Sequence, residues 1–298
     1  MKAPLVTVIV PCFEDGATLP MALASLGAQS WEEWECVVVD DGSREGVGPV
    51  VEAFGDRRMR VVTLSENRGR SAARQVALEE AKGEYVAMLD ADDWYYPGKL
   101  GRQVEILEAR RELSALSMGM AVVDRQEGLA GVRAFAVEEL EVFEGQRGEP
   151  PKMAFGAVMM RGEVAKRERF DVGLERSEDW DYLMRALDGR LYGVLGEVGY
   201  VYREEYSARR MEEARVGFRC QRKIFRDRIW AAPGAAGREY LKSVVKSGIY
   251  GVAQRVGGGE WLFGRRNREA TDRERAAFEE AREVVWEKLR EAGFEPTG

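Results

Sequence analysis

Three aspartates stand directly behind an apolar run in the first third of the chain. The run covers residues 85–89 and has the composition of a buried strand, and Asp90, Asp92 and Asp93 follow it at once. Like charges at that spacing repel one another, so some further interaction must offset the cost. A cation is the simplest candidate, because two carboxylates one residue apart at a strand end can hold it between them.

The chain contains no histidine, and this absence restricts the chemistry that any site can use. A general base must be a carboxylate or a less common group, and a metal must be held by oxygen or thiolate ligands. The three cysteines, Cys12, Cys36 and Cys220, match no metal-binding spacing and indicate reduced thiols. A hard cation, Mg²⁺ or Mn²⁺, is therefore the metal that Asp90 and Asp92 would suit.

The aspartates need a scaffold, and the first half of the sequence predicts one. Helices are predicted at residues 18–29 and 71–81, and apolar strands at residues 6–10, 36–39, 60–64 and 85–89. Strands that alternate with helices form βαβ units, so we expect an α/β fold with a Rossmann-like, mostly parallel central sheet flanked by helices. Ligands of such sheets bind beyond the carboxyl ends of the strands.

Acidic turns are predicted at three of these strand ends. They are residues 11–15 (PCFED), 40–43 (DDGS) and 90–93 (DADD). Neither the G-x-G-x-x-G fingerprint of dinucleotide-binding proteins nor a P-loop is present, so a phosphate cradle made of glycines is excluded. Taken alone, residues 40–43 are typical of a simple turn, and Asp15 is typical of a helix cap.

The pattern changes from about residue 152. A helix is predicted from Ser177 to Leu187, and one or two short strands, broken by glycines, are predicted within residues 191–202. Beyond residue 207 the sequence predicts charge-rich helices, with eight basic and three acidic residues between Arg209 and Arg228, and a break at residues 257–259. We therefore expect a catalytic domain over residues 1–206 and a helical C-terminal extension over residues 207–298.

Composition limits the partners and the location. The formal charge of −7 over 298 residues argues against a nucleic-acid-binding protein. No apolar segment is long enough to span a bilayer, and residues 1–4 lead into a strand rather than a signal peptide. With the reduced cysteines, these features predict a cytoplasmic protein; the sequence does not indicate an oligomeric state.

Five motifs stand in a fixed order along the chain. They are VPCFE from Val10, VDDGS from Val39, NRGRSAAR from Asn67, LDADD from Leu89 and SEDWD from Ser177. In this order they resemble the family 2 glycosyltransferases, which have the GT-A fold, over about two-thirds of the chain. The resemblance implies an inverting transfer of a sugar from a nucleotide-diphosphate donor, with uridine the favoured base, to an acceptor. It also implies a divalent metal, Mn²⁺ or Mg²⁺, on the diphosphate.

The resemblance also gives roles to matching residues. Asp92 would bind the metal, Asp90 the metal or the ribose, and Asp179 would be the base that takes the acceptor proton. The residues implied in donor binding are Pro11, Phe13, Glu14, Asp40, Arg70, Asp90 and Asp92, with Phe13 packed on the base, Asp40 bonded to base or ribose, and Arg70 near base or phosphates. Those implied in support are Asp41, Asp93, Glu178 and Trp180.

Simpler interpretations remain open for several of these positions. Ser177 could be the N-cap of a helix whose first-turn acids, Glu178 and Asp179, only complement its dipole. Trp180 could be core or pocket wall rather than a platform on which a sugar stacks, and Arg74 could be a structural ion-pair partner. The basic helix from Arg209 is either a solvated face, a contact for donor phosphates, or a peripheral contact with the inner face of an anionic membrane, as a lipid-linked acceptor would require.

The sequence departs modestly from the family pattern. Gln75 and Glu14 stand where asparagine is common, and no late histidine is available to complete a metal site, so water and diphosphate would complete it. A sugar-nucleotide nucleotidyltransferase is disfavoured because a glycine-rich, basic loop for a triphosphate is missing. A non-catalytic sugar-nucleotide binder is disfavoured because both carboxylate motifs are intact. The acceptor could be a saccharide, a lipid-linked glycan, a protein or a small metabolite.

Overall fold

The computed structural model describes residues 5–124, 127–135, 139–204, 207–256 and 266–296. The sequence start at residues 1–4, the predicted domain boundary at residue 206 and the predicted break at residues 257–259 lie outside these ranges. In the described part of the chain the strands are β1 (Val6–Cys12), β2 (Trp34–Asp40), β3 (Met59–Thr63), β4 (Tyr85–Met88), β5 (Trp94–Tyr95), β6 (Leu113–Val123), β7 (Leu129–Arg133), β8 (Leu140–Glu144), β9 (Met159–Arg161) and β10 (Leu191–Arg203). The helices there are α1 (Leu19–Gly27), α2 (Gly48–Ala53), α3 (Arg70–Glu80), α4 (Lys99–Ala109), α5 (Gly162–Ala165), α6 (Glu178–Ala186), α7 (Ala208–Arg228), α8 (Pro233–Val256) and α9 (Asp272–Glu291).

The first four strands form the parallel half of a single sheet, and the prediction of an α/β fold is confirmed. β1 lies between β2 and β4, and β3 lies outside β2. These strands are rich in Val, Ile and other apolar residues, because helices cover both faces of the sheet. Cys12 lies opposite Asp40, and Ile9 lies opposite Met88. The loops after β1, β2 and β4 therefore meet at one edge of the sheet.

The second half of the sheet is mixed, so the expected parallel arrangement applies chiefly to β1–β4. β6 and β10 pair in parallel, while β9 runs antiparallel to both β4 and β6. β7, β8 and β5 add further antiparallel pairs. Several strands here follow one another without a crossover helix, and such short connections allow antiparallel pairing.

β10 is one strand of 13 residues, where the sequence predicted one or two short strands. The glycines inside it do not end it, because neighbouring side chains fill the space that their Cβ atoms would need. A Cβ on Gly193 would lie 2.7 Å from Leu116, and one on Gly199 would lie 2.5 Å from Met118. Both glycines are thus packing positions, and the strand shows its irregularity as shifts of register against β6.

The three C-terminal helices pack in two separate groups: α7 with α8, and α9 with α1. α7 and α8 form a pair whose contact includes the edge-to-face rings of Phe218 and Tyr250. α9 begins at a capping box made by Thr271 and Glu274, and it packs on α1. Its buried residues Phe278 and Val285 share a cluster with Trp94 of β5. None of the helices in the described ranges is both long and apolar enough to cross a bilayer.

Candidate active site

The acidic turn after β4 contains two aspartates that face the cavity beyond the sheet edge. The side chains of Asp90 and Asp92 are 35% and 36% exposed, so solvent and ligands can reach both. Burial and the neighbouring Asp90 raise the pKa of Asp92. Burial would also raise the pKa of Asp90, but the guanidiniums of Arg74 and Arg70 outweigh it and hold that pKa below its usual value. The two carboxylates are thus electrostatically unequal.

Arg74 is the reason for this difference. This side chain is only 5% exposed, and its guanidinium donates to Asp90 Oδ1 at 2.7 Å and to Glu178 Oε1 at 2.5 Å. It also lies 4.5 Å above the ring of Phe155. Arg74 therefore joins the turn after β4 to the start of α6, which is 104 residues away from it in the sequence. The interpretation of Arg74 as an ion-pair partner is confirmed, and both of its partners lie in the candidate site.

Asp93 is buried, and hydrogen bonds from β10 hold its carboxylate. Its carboxylate accepts hydrogen bonds from the Tyr200 hydroxyl at 2.5 Å and the Arg203 backbone N–H at 2.8 Å. Burial, with Asp92 and Asp90 nearby, raises its pKa well above the usual value. Asp93 thus fixes the turn to β10, a geometry that fits the supporting role implied for it.

The loops after β1 and β2 form a first cavity of about 460 Å³ beside Asp92. Pro11, Phe13 and Asp41 lie on its wall, and Phe13 is 42% exposed. Asp41 accepts hydrogen bonds from the N–H groups of Arg68 and Gly69, both at 2.8 Å. It thereby fixes the loop that precedes α3, a supporting geometry.

Asp40 and Glu14, two predicted donor-binding residues, are not among the described residues that line this cavity. Asp40 is fully buried and accepts from the Ser43 N–H at 3.0 Å, while its second oxygen has no hydrogen-bond partner among the described residues. Glu14 has a left-handed backbone and an exposed side chain that accepts from the Arg44 N–H at 3.2 Å. Their predicted contacts with the donor stay predictions.

The start of α6 presents Asp179 to a second cavity of about 760 Å³. Burial, together with the neighbouring Glu178, raises the Asp179 pKa from its usual 3.8 to about 6. Asp179 is therefore mostly ionised at neutral pH, yet it is a far better proton acceptor than an ordinary aspartate. Trp180 lies on the wall of the same cavity, as one of the two interpretations of this residue predicted.

Ser177 precedes α6 but does not cap it with its side chain. The residue has a left-handed backbone, with φ of 61°, and its hydroxyl makes no bond to a helix N–H. The hydroxyl instead donates to the Gly217 carbonyl of α7 at 3.4 Å and accepts from Gln221 at 3.3 Å. The capping interpretation of Ser177 is thus wrong, because α7 competes for the hydroxyl. The first turn of α6 is fixed by long-range contacts.

The two cavities meet at a group of charged residues that line both. The charged residues that line both are Arg70, Arg74, Asp90, Arg176, Arg210 and Glu213, and Tyr202 lines both as well. Asp92 and Phe13 lie on the side of the first cavity, and Asp179 and Trp180 lie on the side of the second. A molecule in the first cavity could therefore present one end to Asp179 through the junction.

Besides Arg74, three arginines crowd this junction, and two of them were missed by the sequence reasoning. Arg210 of α7 lies 3.6 Å from Asp92, Arg70 lies 3.8 Å from Glu178, and Arg176 pairs with Glu213 at 2.8 Å. Burial and the charges of Arg70 and Arg210 lower the Arg176 pKa, which indicates repulsion among the three guanidiniums. An anion bound here would relieve it. Arg210 stood within the basic run after residue 209, but the sequence did not indicate which of those residues turns inward.

The carboxylates fit a shared cation rather than one that the protein holds alone. Asp92 reaches the cavity, whereas Asp90 already shares its charge with Arg74. In the described ranges, no three Asp, Glu, Cys or His side chains come together as a metal site. Two carboxylates with open positions suit Mg²⁺ or Mn²⁺ when ligand phosphates and water complete the coordination.

Comparison with known sequences agrees with the motif order. The model of the family described as Glycosyl transferase family 2 matches residues 7–161, just over half of the chain. EpsE of Bacillus subtilis, named as a glycosyltransferase, is 29% identical over 70% of this chain and 76% of its own length. TuaG of Bacillus subtilis, named as a teichuronic acid biosynthesis glycosyltransferase, is 39% identical over 36% of this chain and 43% of its own length. The chain thus spans less than half of TuaG.

Solved structures show the same fold. Staphylococcus aureus TarS, residues 1–349, superposes with a TM-score of 0.60 at 19% identity, covering 98% of this chain and 83% of that one. The same protein in complex with UDP-GlcNAc gives a TM-score of 0.60 at 19% identity, with 98% and 84% covered. At this identity the likeness concerns the fold, and it extends over the C-terminal helices as well as the sheet.

Proposed function

The chain belongs to glycosyl transferase family 2 and is a glycosyltransferase, and we propose that it transfers a sugar from a nucleotide-diphosphate donor to an acceptor hydroxyl with inversion. The observation that carries this proposal is the position of Asp179. A carboxylate with a pKa of about 6 lies in the second cavity, across the junction from Asp92 and the first cavity. An inverting transfer needs this order of donor, sugar and base.

In this proposal the nucleotide occupies the first cavity. Phe13 packs on the base, Pro11 and Glu14 shape the loop beside it, and Asp90 reaches ribose or metal. A contact of base or ribose with Asp40 would require this fully buried side chain to become accessible. We propose uridine as the base, because TarS, a protein of the same fold, has been solved with UDP and with UDP-GlcNAc. The sugar would then extend through the junction towards the second cavity, which takes the acceptor.

The diphosphate would lie at the junction, where the charges favour it. Arg70, Arg176 and Arg210 repel one another there, so an anion between them stabilises the arrangement. A divalent cation, Mg²⁺ or Mn²⁺, would be held by Asp92, with Asp90 beside it, and when bound it would supply charge neutralisation for the leaving diphosphate. The guanidiniums provide part of the same neutralisation from the protein itself.

Asp179 then acts on the acceptor in the second cavity. Its carboxylate takes the proton of the acceptor hydroxyl while that oxygen attacks the anomeric carbon of the sugar. The new carbon–oxygen bond forms on the face opposite the diphosphate, the bond to the diphosphate oxygen breaks, and the configuration inverts. Glu178 stays bound to Arg74, and this ion pair holds the first turn of α6 in place.

We propose a saccharide acceptor and a role in glycan or polysaccharide biosynthesis. The support is the second cavity, whose aromatic wall includes Trp180, Phe155 and Tyr202 and whose volume of about 760 Å³ exceeds that of one sugar ring. Among the relatives, TuaG is named for teichuronic acid and ExoO of Rhizobium meliloti for succinoglycan biosynthesis. ExoO is 29% identical over 67% of this chain and 61% of its own length.

A panel of UDP-, GDP- and dTDP-sugars, each with and without Mn²⁺, tests the proposal. We expect release of one nucleoside diphosphate, and loss of that release in Asp179→Asn. Asp171→Asn, a change of an exposed aspartate before α6, is the matched control and should keep wild-type activity. Pyrophosphate release from a nucleoside triphosphate would show a nucleotidyltransferase. Donor binding without turnover for every sugar and saccharide acceptor tried would show a binding protein instead.

A further inference from the structure

One face of α8 exposes a row of large apolar side chains to solvent. The exposed fractions are 62% for Leu241, 42% for Val244, 53% for Val245, 49% for Ile249 and 60% for Val252. Single exposed apolar residues are ordinary, but five on one helix form a continuous surface. Such a surface costs free energy in water and indicates a contact that the described part of the chain does not make by itself.

The row is a distinct face of the helix. Residues 241, 245 and 252 fall within about 40° of one another at 100° per residue, with residues 244 and 249 on either side. The opposite face carries Ala236, Ser243 and Tyr250, which are buried, and it packs against α7. The contact between α7 and α8 therefore leaves the apolar row uncovered. We call residues 241, 244, 245, 249 and 252 the α8 stripe.

The two helices α7 and α8, one of which carries the stripe, are strongly basic in sequence. Residues 208–256 carry twelve Lys and Arg against four Asp and Glu, a net charge of +8 in a chain whose total is −7. α8 itself carries one acidic residue, Glu239, and four basic ones, Arg238, Lys242, Lys246 and Arg255. On α7, Arg215, Arg219 and Arg226 recur at helical spacing and are exposed to solvent, and Arg222 on the same side is partly exposed. Basic residues beside an exposed apolar helix face are typical of helices that lie on anionic bilayers.

The stripe also lies next to the second cavity. Ile249 belongs to the stripe and lines that cavity, and Lys246 lines it one turn earlier. A molecule anchored in a bilayer below the stripe could thus extend its head group into the cavity without crossing the protein. This juxtaposition distinguishes the stripe from Val172, an even more exposed apolar residue in the loop before α6.

We propose that the α8 stripe docks the protein on an anionic lipid bilayer and that the acceptor reaches the second cavity from that bilayer. The acceptor part rests on the proposed function, whereas the docking part does not. The stripe inserts its apolar side chains at the level of the head groups, and the basic residues of α7 and α8 contact the lipid phosphates. A soluble polyanion would bind the positive charge but would gain nothing from the stripe.

Sedimentation with vesicles tests the docking directly. Vesicles of phosphatidylcholine with phosphatidylglycerol should bind the protein, and vesicles of phosphatidylcholine alone should bind it far more weakly. Leu241→Ser combined with Val245→Ser keeps every charge and should lower the partition coefficient at least tenfold, because the inserted area is lost. Val172→Ser is the matched control and should bind like the wild type.

Substitution of the charges separates the two contributions. Lys242→Gln and Arg255→Gln should each weaken binding to the anionic vesicles roughly fivefold, while Arg57→Gln, an exposed arginine far from α8 in the sequence, should not. Thermal unfolding and donor hydrolysis should stay unchanged in all these variants, since none of the replaced residues lines either cavity of the candidate site. The experiments can therefore show sugar transfer without docking on vesicles, or docking without sugar transfer, so the two proposals are tested separately.

Three results would overturn the inference. The first is equal vesicle binding by the serine double variant and the wild type, which would reduce the surface to a polyanion site. The second is a stable dimer in sedimentation equilibrium that the serine double variant dissociates, which would make the stripe a contact between two copies. The third is no binding to anionic vesicles at all by the wild-type chain.

Discussion

Replacing Asp179 by asparagine should inactivate the protein and stabilise it at the same time. Burial and Glu178 raise the pKa of Asp179 from 3.8 to about 6 in the folded chain. The ionised carboxylate is therefore less favourable in the folded protein than in the unfolded one. This cost is fully present above about pH 6 and disappears below about pH 4, because the carboxyl is protonated in both states there.

The size of the effect follows from the shift of the pKa. The difference of about two pKa units corresponds to about 3 kcal/mol, and partial contact of Asp179 with solvent reduces it to about 2 kcal/mol. Asp179→Asn should therefore raise the free energy of unfolding by about 2 kcal/mol at pH 8. The midpoint of thermal unfolding should rise by roughly 4 °C. Near pH 4 the variant and the wild type should be equally stable.

Urea denaturation from pH 4 to pH 8 measures this difference, and Asp181→Asn is its control on the same helix. Asp181 accepts from Arg185 at 2.7 Å and from Arg228 at 2.5 Å. Losing the charge of Asp181 should destabilise the protein by at least about 2 kcal/mol at pH 8, whereas losing the charge of Asp179 should stabilise it. A variant Asp179→Asn that is no more stable than the wild type at pH 8 would refute the raised pKa. An Asp179→Asn variant that keeps the wild-type transfer rate would refute the proposal that Asp179 is the base.

Three further predictions concern the same acids and Arg74. The rate of nucleoside diphosphate release should rise with pH and reach half its plateau near pH 6, the pKa of Asp179, the proposed base; a rate that is flat from pH 5 to pH 8 would contradict this. Arg74→Met should lower the free energy of unfolding in urea by about 3–5 kcal/mol, because Glu178 and Asp90 lose a buried partner. Arg70 is half-exposed, so Arg70→Met should lower it by less than about 1 kcal/mol. Equal losses in the two variants would show that Arg74 does not form the central ion pair. Asp92→Asn should lower Mn²⁺-stimulated release at least tenfold and raise the Mn²⁺ concentration for half stimulation, and unchanged Mn²⁺ titrations would remove Asp92 from the metal site.

The sequence predicts the parallel half of the sheet well, because that half is encoded locally. Each of its strands is a continuous apolar run that ends in turn residues, and parallel strands bring their ends to one edge. Local pattern alone therefore places the loops of Phe13, Asp41 and Asp92 around one cavity. The order of motifs along the chain then limits the chemistry to one family.

Contacts between distant segments could not be predicted in the same way. Arg74 lies 16 residues from Asp90 and 104 residues from Glu178, and no local pattern indicates that its guanidinium touches both. Ser177 has the sequence signature of an N-cap, but the Gly217 carbonyl of α7 takes its hydroxyl. The glycines of β10 predict breaks in the strand, yet the strand continues through them because Leu116 and Met118 fill the space beside them. In each case packing across the fold overrides a local preference.

The ion pairs of the site explain why five neighbouring acids can have different roles. Arg74 takes the charge of Asp90 and of Glu178, and Tyr200 with the Arg203 backbone holds Asp93. Asp92 and Asp179 remain, and both have raised pKa values because burial and a neighbouring acid disfavour their charge. Asp92 can be relieved by a cation that arrives with the diphosphate, and Asp179 by the proton of the acceptor. The proposed roles of metal ligand and base therefore fall to the two cavity-lining acids of this group that accept no hydrogen bond from another described side chain, although Arg210 lies 3.6 Å from Asp92.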